Sequence, residues 1–273
     1  MRLTRITPAL ALFLAVLRCA AATNEFLHVQ RGDLPVLITA PHGGSKSIPG
    51  VPKRKGPEGE LKNGKFVTSR DSGTLELALA AAKEVERISG RRPYVVAFLA
   101  HRQFADVNRP ENEGVEHPDA KAAHAAFHAH VREFVDELAQ RFPRGALLLD
   151  IHGQAASSNT VFRGTQNGTT VMRLVEKQGV AALTGEHGVL ARLAARGIEV
   201  SPAKPPPNPP ENPSYSGGFI VRTYGSHRTN GVDAIQLEFG SWFRADEAKR
   251  EQTARALADA IKTFYERHLR DVK

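Results

Sequence analysis

The chain is expected to fold as an α/β three-layer sandwich, a mostly parallel mixed sheet with helices on both faces. Three observations predict this. Short apolar runs without alternation, Val36-Leu37-Ile38-Thr39, Tyr94 to Leu99, Ala146 to His152 and Asp233 to Phe239, read as strands buried on both faces. Longer segments with helical spacing separate them. Each strand runs into a Gly-, Pro- or Asn-containing loop, as parallel strands joined by crossovers require.

Taken in order, the N-terminus carries Arg2 and Arg5, an apolar stretch from Pro8 to Leu17, and the small residues Ala20 to Ala22. The pattern is that of a secretory signal peptide over residues 1–22, cleaved after Ala22. Its apolar run is too short to span a bilayer, which needs about 20 residues, so no membrane anchor is expected to remain. The protein is then secreted or periplasmic, with residues 23–273 as one domain. After the first strand, residues 45–70 are rich in Gly, Pro and Lys and read as a long loop. Leu75, Leu77, Leu79, Ala82, Val85 and Ile88 mark a helix from Asp71 to Ile88, ended by Ser89-Gly90. Residues 101–117 read as polar loop, and 119–142 as an Ala-rich helix stopped by Pro143. A helix is predicted over 184–196 and a last one over 245–269. Seven prolines crowd residues 202–213, a polyproline-like insertion that is either a flap meeting the site through Ser214–Gly218 or a passive surface insertion.

The sequence is 41% hydrophobic and 24% charged, enough apolar content to exclude disorder. Its net charge of +8 is scattered, with no arginine stripe interleaved with aromatics, so no nucleic-acid partner is expected. The single cysteine, Cys19, excludes a disulfide scaffold and any multi-cysteine zinc site.

Polar clusters fall where apolar strands end, the place where open α/β sheets bind ligands. They are His42 in Pro41-His42-Gly43-Gly44, Asn108-Arg109, Asp150-Ile151-His152 and Gln236-Leu237-Glu238; Asp71 opens a predicted helix. The glycines beside His42 are expected to let backbone approach a ligand. Singly, each residue has a plain structural use, such as a helix cap for Asp71 or an arginine partner for Glu238. Two histidines and two carboxylates on one sheet edge suit a catalytic zinc set, two His and one carboxylate with a second carboxylate as general base.

The series TAPHGG (39–44), SRDSG (69–73), HRQFADVNRP (101–110), LLLDIHGQ (147–154), GGFIVRTYG (217–225) and AIQLEFG (234–240) resembles the N-formylglutamate amidohydrolase family. That family is similar in fold to the zinc carboxypeptidases and the aspartoacylase group, a phosphorylase/hydrolase-like sandwich. The resemblance implies one Zn2+ ion held by His42, Asp71 and His152, with Glu238 as general base. It implies that Asn108 and Arg109 read a substrate carboxylate or the oxyanion, and that Arg222 and Tyr224 help hold substrate. Ser45 stands three residues after His42, so the His-x-x-Glu ligand pattern of carboxypeptidases is absent. The expected activity is hydrolysis of an amide or N-acyl bond in a small carboxylate-bearing substrate, an acyl amino acid or short peptide. A secreted carboxypeptidase-like peptidase and a non-catalytic binding protein are the alternatives.

Overall fold

A computed structural model describes residues 25–56, 66–203 and 210–270. The signal-peptide segment and most of the proline run, residues 204–209, lie outside the described residues. Strands β1 (Leu27–Gln30), β2 (Val36–Ala40), β3 (Tyr94–Phe98), β4 (Leu147–Gly153), β5 (Thr160–Gly164), β6 (Glu199–Ser201) and β7 (Asp233–Phe239) form one sheet in the order β1-β3-β2-β4-β7-β5-β6. The four central strands β3, β2, β4 and β7 are parallel, while β1 and β5 run antiparallel to their inner neighbours. The main helices are α1 (Thr74–Ser89), α2 (Pro118–Arg141), α3 (Met172–Gln178), α4 (Val189–Ala195), α5 (Phe219–Tyr224) and α6 (Glu247–Phe264). None of the described helices is long and apolar enough to cross a membrane.

The predicted α/β sandwich is the observed architecture. The side-chain period of two divides each central strand between two cores. Ile38, Leu149, Ile151, Ile235 and Leu237 face one side, where α1, α4 and α6 cover them. Leu37, Val96, Leu148 and Ala234 face the other, under α2 and α5. The four central strands match their predicted spans to within a residue or so at each end. They are fully buried, so hydrophobicity alone marks them.

Departures have local causes. Strands β1, β5 and β6 were not predicted: β1 and β6 are short edge strands, and β5 carries Arg163 among its apolar residues. The helix expected over 184–196 is split into a single turn, Ala181–Thr184, and α4. Gly185 and Gly188 part them; a Cβ at Gly188 would lie 2.4 Å from the Leu183 carbonyl oxygen. Helix α1 starts at Thr74 with Gly73 as its N-cap, so Asp71 is not the cap. The 101–117 loop includes one helical turn, Glu111–Gly114. Helix α6 is capped by Asp246, whose carboxylate accepts from Lys249 N at 2.9 Å, and gives way to a π turn at Tyr265–Leu269.

This topology makes a crevice. After β2 the chain crosses to β3 on one side; after β4 it leaves for the β5–β7 half on the other. Loops that diverge from adjacent parallel strands open a cleft at their carboxyl ends. His42 follows β2 and His152 closes β4, so both line that switch point.

Candidate metal centre

Thr39, Asp150 and Gln236 form one row across β2, β4 and β7; His152 and Glu238 form the next. Both rows continue the α2/α5 face beyond its apolar core, so the sheet delivers five polar side chains to one place. His42 arrives from the loop after β2. The Asp71 amide donates to the His42 carbonyl at 3.0 Å, which ties the start of α1 to that loop. Gly43 and Gly44 serve packing, not the ligand approach expected from sequence. A Cβ at Gly43 would meet Leu75 N at 2.3 Å, and one at Gly44 would meet the Leu99 carbonyl carbon at 2.3 Å.

His42, Asp71 and His152 converge: one nitrogen or oxygen from each lies within 4.8 Å of the others. Asp71 Oδ2 stands 3.5 Å from His42 Nδ1 and 3.5 Å from His152 Nδ1. The outer nitrogens face away, His42 Nε2 to Asp106 Oδ1 at 2.7 Å and His152 Nε2 to Asp150 Oδ2 at 2.8 Å. An ionised carboxylate only accepts, so each Nε2 carries a proton, and each Nδ1, able to offer a lone pair to an ion when its ring is neutral, faces Asp71. Both rings are buried, and His42 Nδ1 has no hydrogen-bond partner among the described residues. Such a nitrogen is costly unless something accepts its lone pair. Two ligands about 2.0–2.2 Å from one tetrahedral ion stand roughly 3.3–3.6 Å apart, and both separations from Asp71 Oδ2 fall in that range, so the residues can hold a divalent ion.

The carboxylates behind the histidines are themselves fixed. Asp150 Oδ1 accepts from Thr39 Oγ1 at 2.7 Å. Asp106 accepts from the Asn108 amide at 3.0 Å and from Arg102 Nη2 at 2.6 Å, with Arg54 Nη2 at 3.6 Å. Arg102 Nη1 also stands 3.7 Å from Asp71 Oδ1, and the Gly153 amide donates to Asp71 Oδ2 at 3.1 Å. Burial pushes the Asp71 carboxyl up, but the imidazoles of His152 and His42, each with Nδ1 3.5 Å from Oδ2, outweigh it and hold Asp71 far below the usual carboxylate range. Asp106 is likewise held low against burial by Arg102, His42 and Arg54.

Glu238 is the exception among these acids. Burial raises its pKa to about 7, with Asp71 and Asp150 adding to the rise against His152 and His42. Its Oε1 accepts from Gln236 Nε2 at 2.8 Å, so its partner is an amide and not the arginine a structural carboxylate would take.

Asn108 Oδ1 accepts from the Ile220 amide at 2.9 Å, which turns its Nδ2 toward His152, 3.4 Å from Nε2. His124 Nε2 holds the Arg109 carbonyl at 3.0 Å. Arg222 Nε donates to the Gly218 carbonyl at 3.1 Å. Burial, then the neighbouring charge of Arg109, lowers the Arg222 pKa, so the two guanidinium groups sit in one field. Tyr224 is placed differently: it is buried, its hydroxyl meets His128 Nδ1 at 2.9 Å, and Arg132 lies 4.6 Å above its ring. It packs α5 against α2 and does not join the cluster. Sequence reasoning assigned no role to Asp106, Arg102 or Arg54; a loop aspartate two residues before Asn108 was the one available signal.

No sequence-family profile and no curated protein matches this chain. Solved structures do match it in fold. One is an N-formylglutamate amidohydrolase from Ralstonia eutropha JMP134, with 14% identity, TM-score 0.58, and coverage of 89% of this chain and 97% of that one. Another is a gene product of Agrobacterium tumefaciens, with 14% identity, TM-score 0.59, and coverage of 90% and 97%. The resemblance read from the six motifs is thus met by a shared fold along nearly the whole chain.

Proposed function

We propose that the protein is a zinc-dependent hydrolase that cleaves an amide or N-acyl bond in a small carboxylate-bearing substrate, after the manner of an N-formylglutamate amidohydrolase. The observation that carries this reading is the triangle of two Nδ1 atoms and Asp71 Oδ2, backed on both histidines by carboxylates. His42, Asp71 and His152 would hold one ion. A bound divalent ion supplies Lewis acidity, polarising a carbonyl and lowering the pKa of water.

The chain's own residues account for the rest. Glu238, with a pKa of about 7, can take a proton from water near neutral pH and release it to a leaving amine. Gln236 holds one of its oxygens in place. Asn108 Nδ2 and the guanidinium groups of Arg109 and Arg222 offer donors suited to a substrate carboxylate or a developing oxyanion. A planar guanidinium binds a carboxylate through two parallel bonds, which gives a free carboxylate the advantage over its amide.

The test is a metal assay joined to a substrate panel. We expect about one zinc per chain, turnover of N-acyl amino acids that chelator abolishes, and recovery with zinc or cobalt. Absence of any transition metal under replete conditions overturns the reading. Faster turnover of C-terminal dipeptides than of N-acyl amino acids would assign the same centre to a peptidase. Zinc retained without turnover of either would assign it to binding.

A further inference from the structure

Residues 211–218 follow the proline run and pass directly beside the centre. They are pinned from behind. The Glu211 carboxylate is buried and collects donors from Arg163 Nε (2.8 Å), Thr165 N (2.8 Å), Thr165 Oγ1 (2.5 Å) and Asn167 N (3.0 Å). Asn167 Oδ1 accepts from the Glu211 amide in return at 2.9 Å. Further along, Gln166 donates to the Ser216 carbonyl at 2.6 Å and to the Gly217 carbonyl at 2.8 Å. Tyr215 stacks on Phe162 with ring centroids 4.9 Å apart. A Cβ at Gly164 would lie 2.5 Å from Gly217 N, and one at Gly218 would lie 2.4 Å from Asn108 Nδ2. The segment packs there with no space for a side chain at either glycine.

The front of this strap has one polar connection to the sheet that leads to the proposed base. The Gly218 amide donates to Gln236 Oε1 at 2.7 Å, and Gln236 Nε2 donates to Glu238 Oε1 at 2.8 Å. A backbone N–H only donates and an ionised carboxylate only accepts, so the buried amide of Gln236 has a single workable orientation. Phe162, whose ring carries Tyr215, is also the cross-strand partner of Glu238.

We infer that Gln236 is a positioning residue that fastens Glu238 to a fixed strap, residues 211–218, so that the strap governs the turnover step and not the admission of substrate. The inference rests on the hydrolase reading only for its consequence on turnover; the linkage itself is independent of that reading. A flap over the site would change KM, whereas a brace of this kind should change kcat. A misplacement of a reacting group by about 1 Å costs up to ~10²-fold in rate, so a loosened Glu238 should slow turnover by between about tenfold and a hundredfold.

Three variants test it in the full-length protein, each read by amide exchange at Gly218, by kcat and KM, and by circular dichroism. Gln236→Leu removes both bonds; Gly218 should lose exchange protection and kcat should fall while KM stays within about twofold. Gln236→Glu keeps an acceptor for Gly218 but sets a second carboxyl against Glu238, so the pair shares a proton and the base is held by its neighbour; protection should persist while kcat still falls. Glu211→Gln weakens the rear anchor without touching the cluster, and should speed exchange across Ser214–Gly218 and lower kcat. Unchanged Gly218 exchange in Gln236→Leu overturns the linkage. Lost protection with unchanged kcat, or a rise in KM alone, overturns the positioning role. A wild-type protein that turns over nothing removes the hydrolase reading, and the exchange comparison then decides the linkage by itself.

Discussion

The two faces of strands β4 and β7 differ by a shift of one residue and share almost nothing else. On one face stand Leu149, Ile151, Ile235, Leu237 and Phe239, all packed under helices. On the other stand Asp150, His152, Gln236 and Glu238, buried to a similar degree but each with a polar partner. Both faces are largely withdrawn from bulk solvent. The apolar face turns that withdrawal into stability, since its side chains gain by leaving solvent. The polar face turns it into altered acidity and strict orientation, since every buried polar group must find a partner. The polar residues sit at the carboxyl ends, where the strands clear the covering helix and the loops diverge.

The contrast predicts that substitutions one position apart act on different quantities. The largest effect is expected from Glu238→Gln, which keeps size and removes the charge: kcat should fall by roughly 10²–10⁴ with KM and stability nearly unchanged. Retention of more than about a tenth of the wild-type kcat with metal bound, well short of that contribution, would remove Glu238 as the base. Its neighbour Leu237→Ala should do the reverse, costing about 2–5 kcal/mol in denaturant unfolding while kcat per folded molecule holds. A fall in kcat of comparable size would mean that the two faces are not independent.

Asp106→Asn removes the charge behind His42 but leaves an amide oxygen able to accept from Nε2. Zinc affinity, measured by chelator competition, should weaken by about 10–100-fold. Equal affinity would show that Arg102 and Arg54 already neutralise that carboxylate.

The smallest effect concerns acid stability away from the centre. Burial, then the nearby charge of His124, depresses His128 to about 3 from an ordinary value near 6.5. A depressed histidine binds protons more readily when unfolded. Its contribution is present above about pH 6.5 and is lost as the pH falls toward 3. His128→Phe should therefore flatten the decline in melting temperature between pH 7 and 4. An acid limb as steep as the wild type would transfer the effect to His268, also lowered by burial, to about 4.

Much of this was legible in the sequence because it follows the periodicity of the chain. Strands β2, β3, β4 and β7 are unbroken apolar runs, and His42, His152 and Glu238 are conspicuous because polarity interrupts such runs at their ends. The illegible parts lack a period. Asp106 lies in an irregular loop, and its pairing with His42 depends on a turn that only the fold specifies. Glu211, next to a proline run, reads as a solvated carboxylate, yet it is buried because Arg163, Thr165 and Asn167 arrive from β5 and the turn that follows it. Strand β1 has few apolar residues, and its place is set by pairing with β3.

The positions 42, 71 and 152 bring together a loop after β2, the approach to α1 and the end of β4, segments that are remote along the chain. The sequence has no pair of cysteines to fasten them covalently. An ion shared among them would act as a removable rivet, closing two large loops at once and contributing nothing to the unfolded chain. Resistance to heat would then rise with the logarithm of free zinc above its dissociation constant, so the surroundings would set the durability of the protein as well as its activity.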